Sequence, residues 1–178
     1  LVGVFSLVFL LMLTMLPKKI YAEEDYSDYS NENIHFGLGL NDEHKKPGAD
    51  QPSGVKLSDF DTFYCDETAY ENNDKVIYFT FDAGYENGNT PAILDTLKEY
   101  GIQAIFFVTT PYIKEKPDLV KRMKEEGHLV GNHTTTHPSL PECSVSKIKK
   151  EMNTCKDTMK ELTGYDIDPY MRPPMGHY

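Results

Sequence analysis

Asp82 closes a run of β-branched and aromatic residues, Val76-Ile77-Tyr78-Phe79-Thr80-Phe81, and is followed by Ala83-Gly84. A carboxylate at the end of a strand, where a glycine opens a turn, is a better catalytic candidate than one on a helix face, although it would equally serve to cap that turn or the next helix. Further on, Gly131-Asn132-His133-Thr134-Thr135-Thr136-His137-Pro138 carries two histidines four apart. Imidazoles at that spacing can reach one ion from a helical turn or a tight loop. The three threonines between them favour the loop. A polar surface loop is the competing reading. Near the end, Tyr170-Met171-Arg172-Pro173-Pro174-Met175-Gly176 sets an arginine ahead of two prolines that fix the backbone. Arg172 is either a surface residue before a rigid turn or the group that keeps a nearby carboxylate charged.

The surrounding pattern supplies the elements that must hold these residues. Val76 to Phe81 reads as a strand buried on both faces, as in a parallel sheet. Asn89-Thr90-Pro91 then offers a helix start, Ile93, Leu94 and Leu97 an apolar face, and Gly101 a stop. A second strand is expected over Ala104 to Val108, a helix from near Pro117 to Gly127, and a short third strand over His128 to Val130. Ile148, Met152, Cys155, Met159 and Leu162 form a helical stripe closed by Gly164, and a fourth strand is expected around Asp168 to Arg172. Successive strand-helix units give an α/β fold with a parallel sheet and right-handed crossovers. Pattern alone leaves open sheet and barrel undecided. Either way, chemistry collects at the carboxyl ends of the strands, the edge to which Asp82 and the histidine pair both belong.

With 178 residues the chain has room for one domain of ordinary size. Residues 1–22 read as a leader: an apolar run to Leu16, then Ile20-Tyr21-Ala22 as a cleavage site. No basic region precedes the run, and Lys18 and Lys19 follow it, so an uncleaved anchor is the alternative. Membrane contact is expected only through this segment, and an extracytoplasmic location with it. Residues 23–73 form an acidic spacer and lead-in. Fourteen acids and four lysines between Tyr21 and Lys75 account for the whole net charge of −10. With no basic patch to neutralise phosphates, nucleic acid is not expected as a partner. Three cysteines cannot all pair within the chain. Cys155 lies on the apolar stripe as a small core residue, and a Cys65–Cys143 pairing has no support from the pattern.

Thr80-Phe81-Asp82-Ala83-Gly84, His133-Thr-Thr-Thr-His137 and Arg172-Pro-Pro-Met-Gly176 resemble, in order and spacing, the first three motifs of the polysaccharide deacetylase (NodB-homology) family. The resemblance runs over residues 74–178. Phe81-Asp-Ala-Gly-Tyr-Glu-Asn-Gly88 and Glu126-Gly-His-Leu-Val-Gly-Asn-His133 are similar to one branch, the delta-lactam-biosynthetic deacetylases acting on N-acetylmuramic acid in spore-cortex peptidoglycan. What it implies is a distorted parallel (β/α) barrel of which this chain carries the N-terminal half. It also implies hydrolysis of an N-acetyl group assisted by a divalent metal, zinc first among the candidates. Asp82 would be the general base, His133 and His137 the metal ligands, and Arg172 the group orienting Asp82. The backbone N–H of Met175 would stabilise the oxyanion, and peptidoglycan glycan strands would be the partner.

Two departures bear on those expectations. Where the usual motif has a second, metal-ligating aspartate, this chain has Ala83. Two histidines with waters would hold an ion more weakly, and a glycan-binding protein without turnover becomes a rival reading. The later motifs, among them a histidine acting as general acid, lie beyond Tyr178, so this stretch alone is expected to be inactive and poorly folded. Deacetylation of N-acetylglucosamine in peptidoglycan or chitin-like chains is the alternative within the class.

Overall fold

The computed structural model describes residues 30, 32–33, 37–39, 42, 45–49 and 56–178, with backbone only at 58 and 59. The expected leader and cleavage site at residues 1–22, and much of the acidic spacer, lie outside the described residues. Within the spacer, Leu38–Gly39 (β1) pairs antiparallel with Gly48–Ala49 (β2), and the Lys46 ammonium meets the Glu67 carboxylate. A 3-10 turn spans Leu57–Phe60, and helix α1 (Glu67–Glu71) is capped by the Asp66 carboxylate, which accepts from the N–H of Ala69 at 2.9 Å.

A three-stranded parallel sheet follows: β3 (Phe79–Ala83), β4 (Ala104–Val108) and β5 (Leu129–Asn132), in that spatial order. Between and after the strands come α2 (Thr90–Glu99), α3 (Thr110–Glu115), α4 (Pro117–Glu125) and α5 (Val145–Thr163). The α/β class is as the pattern dictates. Strand alternation divides the sheet into two unlike faces. Ala104, Phe106, Val108 and Val130 join Leu94, Leu97, Tyr112, Val120, Met123, Cys155 and Met159 in one buried cluster against the helices. Phe81 stacks on Phe106 at 4.9 Å and packs with Ala83 onto the same side. Thr80, Asp82 and Phe107 point the other way, which is the face that carries the chemistry.

Four local expectations need correction. The first strand is not buried on both faces. It begins at Phe79 rather than Val76; Ile77 is 79% and Tyr78 66% exposed, and Thr80 and Asp82 are open to solvent. Among the described residues β3 pairs with β4 alone, so its outer edge has no partner strand, and its polar face is met in part by Arg172. The third strand lies one or two residues later than expected, at Leu129–Asn132, because His128 turns into the interior and accepts the N–H of Ala104 at 3.2 Å. Helix α3 was not anticipated, although Thr109-Thr110-Pro111 is a cap followed by a proline; the Thr109 hydroxyl accepts from the Tyr112 N–H at 3.4 Å.

The fourth strand shrinks to a single parallel bridge, Met171 to Asn132. The segment still runs alongside β5. The N–H of Asp168 donates to the Val130 carbonyl at 2.8 Å, that of Asn132 to Tyr170 at 2.8 Å, and that of Arg172 to Asn132 at 3.1 Å. Pro173 and Pro174 forbid its extension, since neither has an N–H to give. The long helix forms as expected, with Ser144 as cap and Gly164 at φ 79°, its N–H returned to the Lys160 carbonyl at 3.0 Å. Its buried face, however, is Glu151, Cys155, Thr158, Met159 and Thr163, while Ile148 and Met152 are half-buried and Leu162 is exposed. Cys155 is buried as expected. All three cysteines are free thiols.

Candidate active site

The ends of β3 and β5 and the segment after α5 deliver the motif residues to one place. Asp82 is the fourth residue of β3, aligned with Phe107 of β4. Arg172 reaches it from the bridged segment. Its Nη1 donates to Asp82 Oδ1 at 2.8 Å and its Nη2 to Thr80 Oγ1 at 2.9 Å. The guanidinium lies 4.4 Å from the centroid of the Phe107 ring, a stacking arrangement that fixes its plane. Space for it comes from Gly131, where a Cβ would meet the Phe107 ring at 2.7 Å and the Tyr170 carbonyl at 3.0 Å. A fork held at both tips and on its face presents the Asp82 carboxylate in one orientation.

His133 follows β5 directly, its N–H bonded to the Val108 carbonyl at 3.0 Å. Its Nδ1 lies 2.8 Å from the Arg172 carbonyl oxygen. A carbonyl can only accept, so Nδ1 carries the proton and Nε2 keeps its lone pair. That Nε2 is 4.0 Å from Asp82 Oδ2, beyond hydrogen-bond range, so neither reactive atom is consumed by the other. Burial pushes the His133 pKa below its ordinary value, the Arg172 carbonyl and Asp82 opposing only in part, which keeps the ring neutral and able to ligate. The ring of His137 stands edge-on to that of His133, with centroids 4.9 Å apart.

The loop between the histidines has no helical turn, in line with the threonine argument. Two of its residues adopt left-handed backbone, Thr134 at φ 69° and His137 at φ 55°. Such conformations cost about 1–3 kcal/mol each outside glycine and need compensating contacts. Helix α5 supplies them through Glu151, which is 2% exposed. Its carboxylate accepts from the N–H groups of Thr135 at 2.8 Å and Thr136 at 2.6 Å, from the Thr136 hydroxyl at 2.8 Å, and from Lys147 Nζ at 2.6 Å. On the other side, Thr110 donates its N–H to the Thr134 carbonyl at 3.2 Å. Met175 sits in a 3-10 turn, Pro174–Gly176, at φ 57° and half exposed.

Sequence reasoning named Asp82, His133, His137, Arg172 and Met175; the structure brings the first four into contact in pairs and sets Met175 on the turn beyond Arg172. It did not name Thr80, Phe107 or Glu151. The sign of Glu151 was present: it falls between Ile148 and Cys155 on the buried stripe, where a carboxylate needs a partner. Ala83 offers no ligand, and among the described residues no group of three histidine, cysteine or acidic side chains converges as a metal cage. The donor set therefore fits two-imidazole binding, with the His133 tautomer already set for it.

A parallel α/β sheet thus carries a clamped carboxylate and two adjacent histidines at its C-terminal edge. The chain belongs to the polysaccharide deacetylase family, whose profile matches residues 69–178. It is 38% identical over 146 residues to the peptidoglycan-N-acetylmuramic acid deacetylase PdaA of Bacillus subtilis, covering 82% of this chain and 54% of that protein. To the peptidoglycan-N-acetylglucosamine deacetylase PgdA of Listeria monocytogenes it is 35% identical, over 74% of this chain and 31% of that protein. The solved structure of Bacillus subtilis PdaA, a family 4 carbohydrate esterase, superposes with a TM-score of 0.77 at 37% identity, covering 84% of this chain and 62% of that one. The chain spans about half the length of the curated relatives PdaA and a Geobacillus stearothermophilus homologue.

Proposed function

We propose that the protein removes N-acetyl groups from peptidoglycan glycan strands, with N-acetylmuramic acid as the sugar and muramic delta-lactam in spore cortex as the downstream product. The observation that carries this reading is the Asp82–Arg172 pair facing a His133 whose Nε2 is free to ligate. The 38% identity to an N-acetylmuramic acid deacetylase supports the choice of sugar. Its place of action is extracytoplasmic, secreted or tethered by the apolar segment at residues 1–22.

An amide carbonyl resists neutral water, so the chemistry needs a base, an electrophile and an oxyanion donor. Asp82, oriented by Arg172, takes the proton of the attacking water as the C–O bond forms. The backbone N–H of Met175 donates to the oxygen that gains charge, a contact that contributes about 3 kcal/mol when preorganised. Collapse breaks the C–N bond, and the departing amine takes up a proton from a general acid. His133 and His137 would hold a divalent cation, zinc being the first candidate. Held by those two imidazoles, the cation would supply a water of pKa about 7 and would polarise the acetyl carbonyl. With Ala83 in place of a carboxylate ligand, the affinity is lower than a three-ligand site would give.

The test is to incubate the complete protein with muropeptides and read by mass spectrometry which sugar loses acetyl. Loss from muramic acid is expected. Loss from glucosamine alone would replace the substrate, and retention of glycan with no acetate released at any divalent ion concentration would replace the enzyme reading with a binding one.

A further inference from the structure

Glu151 lies on helix α5, away from the three motifs, yet its carboxylate is spent on the loop that joins the two histidines. Both backbone N–H groups it accepts, from Thr135 and Thr136, belong to residues between His133 and His137. The Thr135 hydroxyl adds a bond to the main-chain carbonyl of the same Glu151 at 2.9 Å, and pairs with the Thr110 hydroxyl at 2.9 Å. Inside the loop, the N–H of Thr134 donates to Asn132 Oδ1 at 2.9 Å and that of His137 to the Thr134 hydroxyl at 3.1 Å. The second of these is local to the loop; the first ties Thr134 to the end of β5, where the Asn132 amide also donates to the Met152 carbonyl of α5 at 3.0 Å. For Thr135 and Thr136, at the middle of the loop, the hydrogen bonds among the described residues go to Glu151 and Thr110.

The energetics point the same way. A β-branched residue and a histidine are both held at positive φ, so the free loop would relax to other conformations. A buried carboxylate that accepts three bonds from the loop and one from Lys147 opposes this relaxation, since withdrawing the loop would leave the charge short of donors. Helix α5 is itself anchored one turn from Glu151 by Cys155, buried in the core with its thiol donating to the Val108 carbonyl at 3.4 Å, so Glu151 transmits a fixed position.

We propose that Glu151 is the positioning residue that sets His137 against His133 for joint ligation of a divalent cation. This rests on the metal-assisted reading of the site. Glu151 itself touches neither imidazole and is not a ligand; it acts through the backbone of Thr135 and Thr136.

The experiment uses Co2+ as the probe, titrated into the complete protein and into its E151A, E151Q and M159A variants. Affinity is followed by calorimetry and by the visible spectrum of the ion. Loss of an outer partner of this kind costs about 10–100-fold in metal affinity, the effect expected for E151A. E151Q is expected to recover part of it, because an amide oxygen still accepts from the loop, and it decides the matter should E151A fail to fold. M159A, which removes packing on the same helix, should lower thermal stability and keep wild-type affinity. Wild-type affinity in E151A, or in E151Q where E151A does not fold, would overturn the proposal. So would an equal loss in M159A. Should the wild type bind no Co2+, the metal-assisted reading itself fails. The positioning claim is then decided by crystal structures: Thr134 and His137 leaving positive φ in E151A, or in E151Q where E151A does not fold, uphold it, and an unchanged loop refutes it.

Discussion

At the scale of single residues, the site is a set of short, directional contacts converging on Asp82 and His133. Replacing Asp82 by Asn keeps size but removes the proposed base; kcat is expected to fall by about 10²–10⁴-fold with Co2+ affinity little changed, as steady-state kinetics and calorimetry would show. Ala83→Asp puts a carboxylate next to Asp82, at the position to which the resemblance assigns a metal-ligating aspartate. It is expected to raise divalent-ion affinity by at least about 10-fold in a direct titration. The four residues first singled out are legible in the sequence because each belongs to a short local motif. Thr80, Phe107 and Glu151 were not, because their roles arise from contacts between segments far apart in the chain: Arg172 bonds Thr80 across 92 positions. A polar residue inside an apolar stripe was the available hint for Glu151.

At the scale of elements, close approach between β4, β5 and the bridged segment sets the position of Arg172. A methyl at Gly131 would collide with the Phe107 ring and the Tyr170 carbonyl. Gly131→Ala is expected to cost about 1–3 kcal/mol in chemical denaturation and, by displacing the ring beneath Arg172, to lower activity as well. Asp168 secures the same segment, its carboxylate accepting the Val130 N–H and pairing with Lys124 Nζ, both at 2.6 Å. Helices were the easiest elements to read, their apolar periodicity and glycine stops being local. Strand limits were harder. Val76, Ile77 and Tyr78 have strand-forming side chains but no partner strand among the described residues, and pairing rather than propensity decides where a strand begins. Helix α3 went unread because six residues are too few to show a period.

For the molecule as a whole, acid should be the weak side. Burial alone would raise the Glu151 pKa, but the Lys147 ammonium and the Thr136 and Thr135 donors outweigh it and hold the value at about 2, against 4.5 for a free glutamate. The folded state thus favours the charged form, and the unfolded chain takes up the proton first as pH drops. This contribution is complete above about pH 4.5 and disappears as pH approaches about 2. Urea denaturation across that window should show a slope that E151Q diminishes. One residue gives the centre a further property. Arg172 serves Asp82 with its side chain and His133 with its main-chain carbonyl, and substitution can touch only the first of these. Saturation mutagenesis at position 172 would report half of what the residue does. The other half resists every codon, and would yield only to altering the prolines that aim that peptide group.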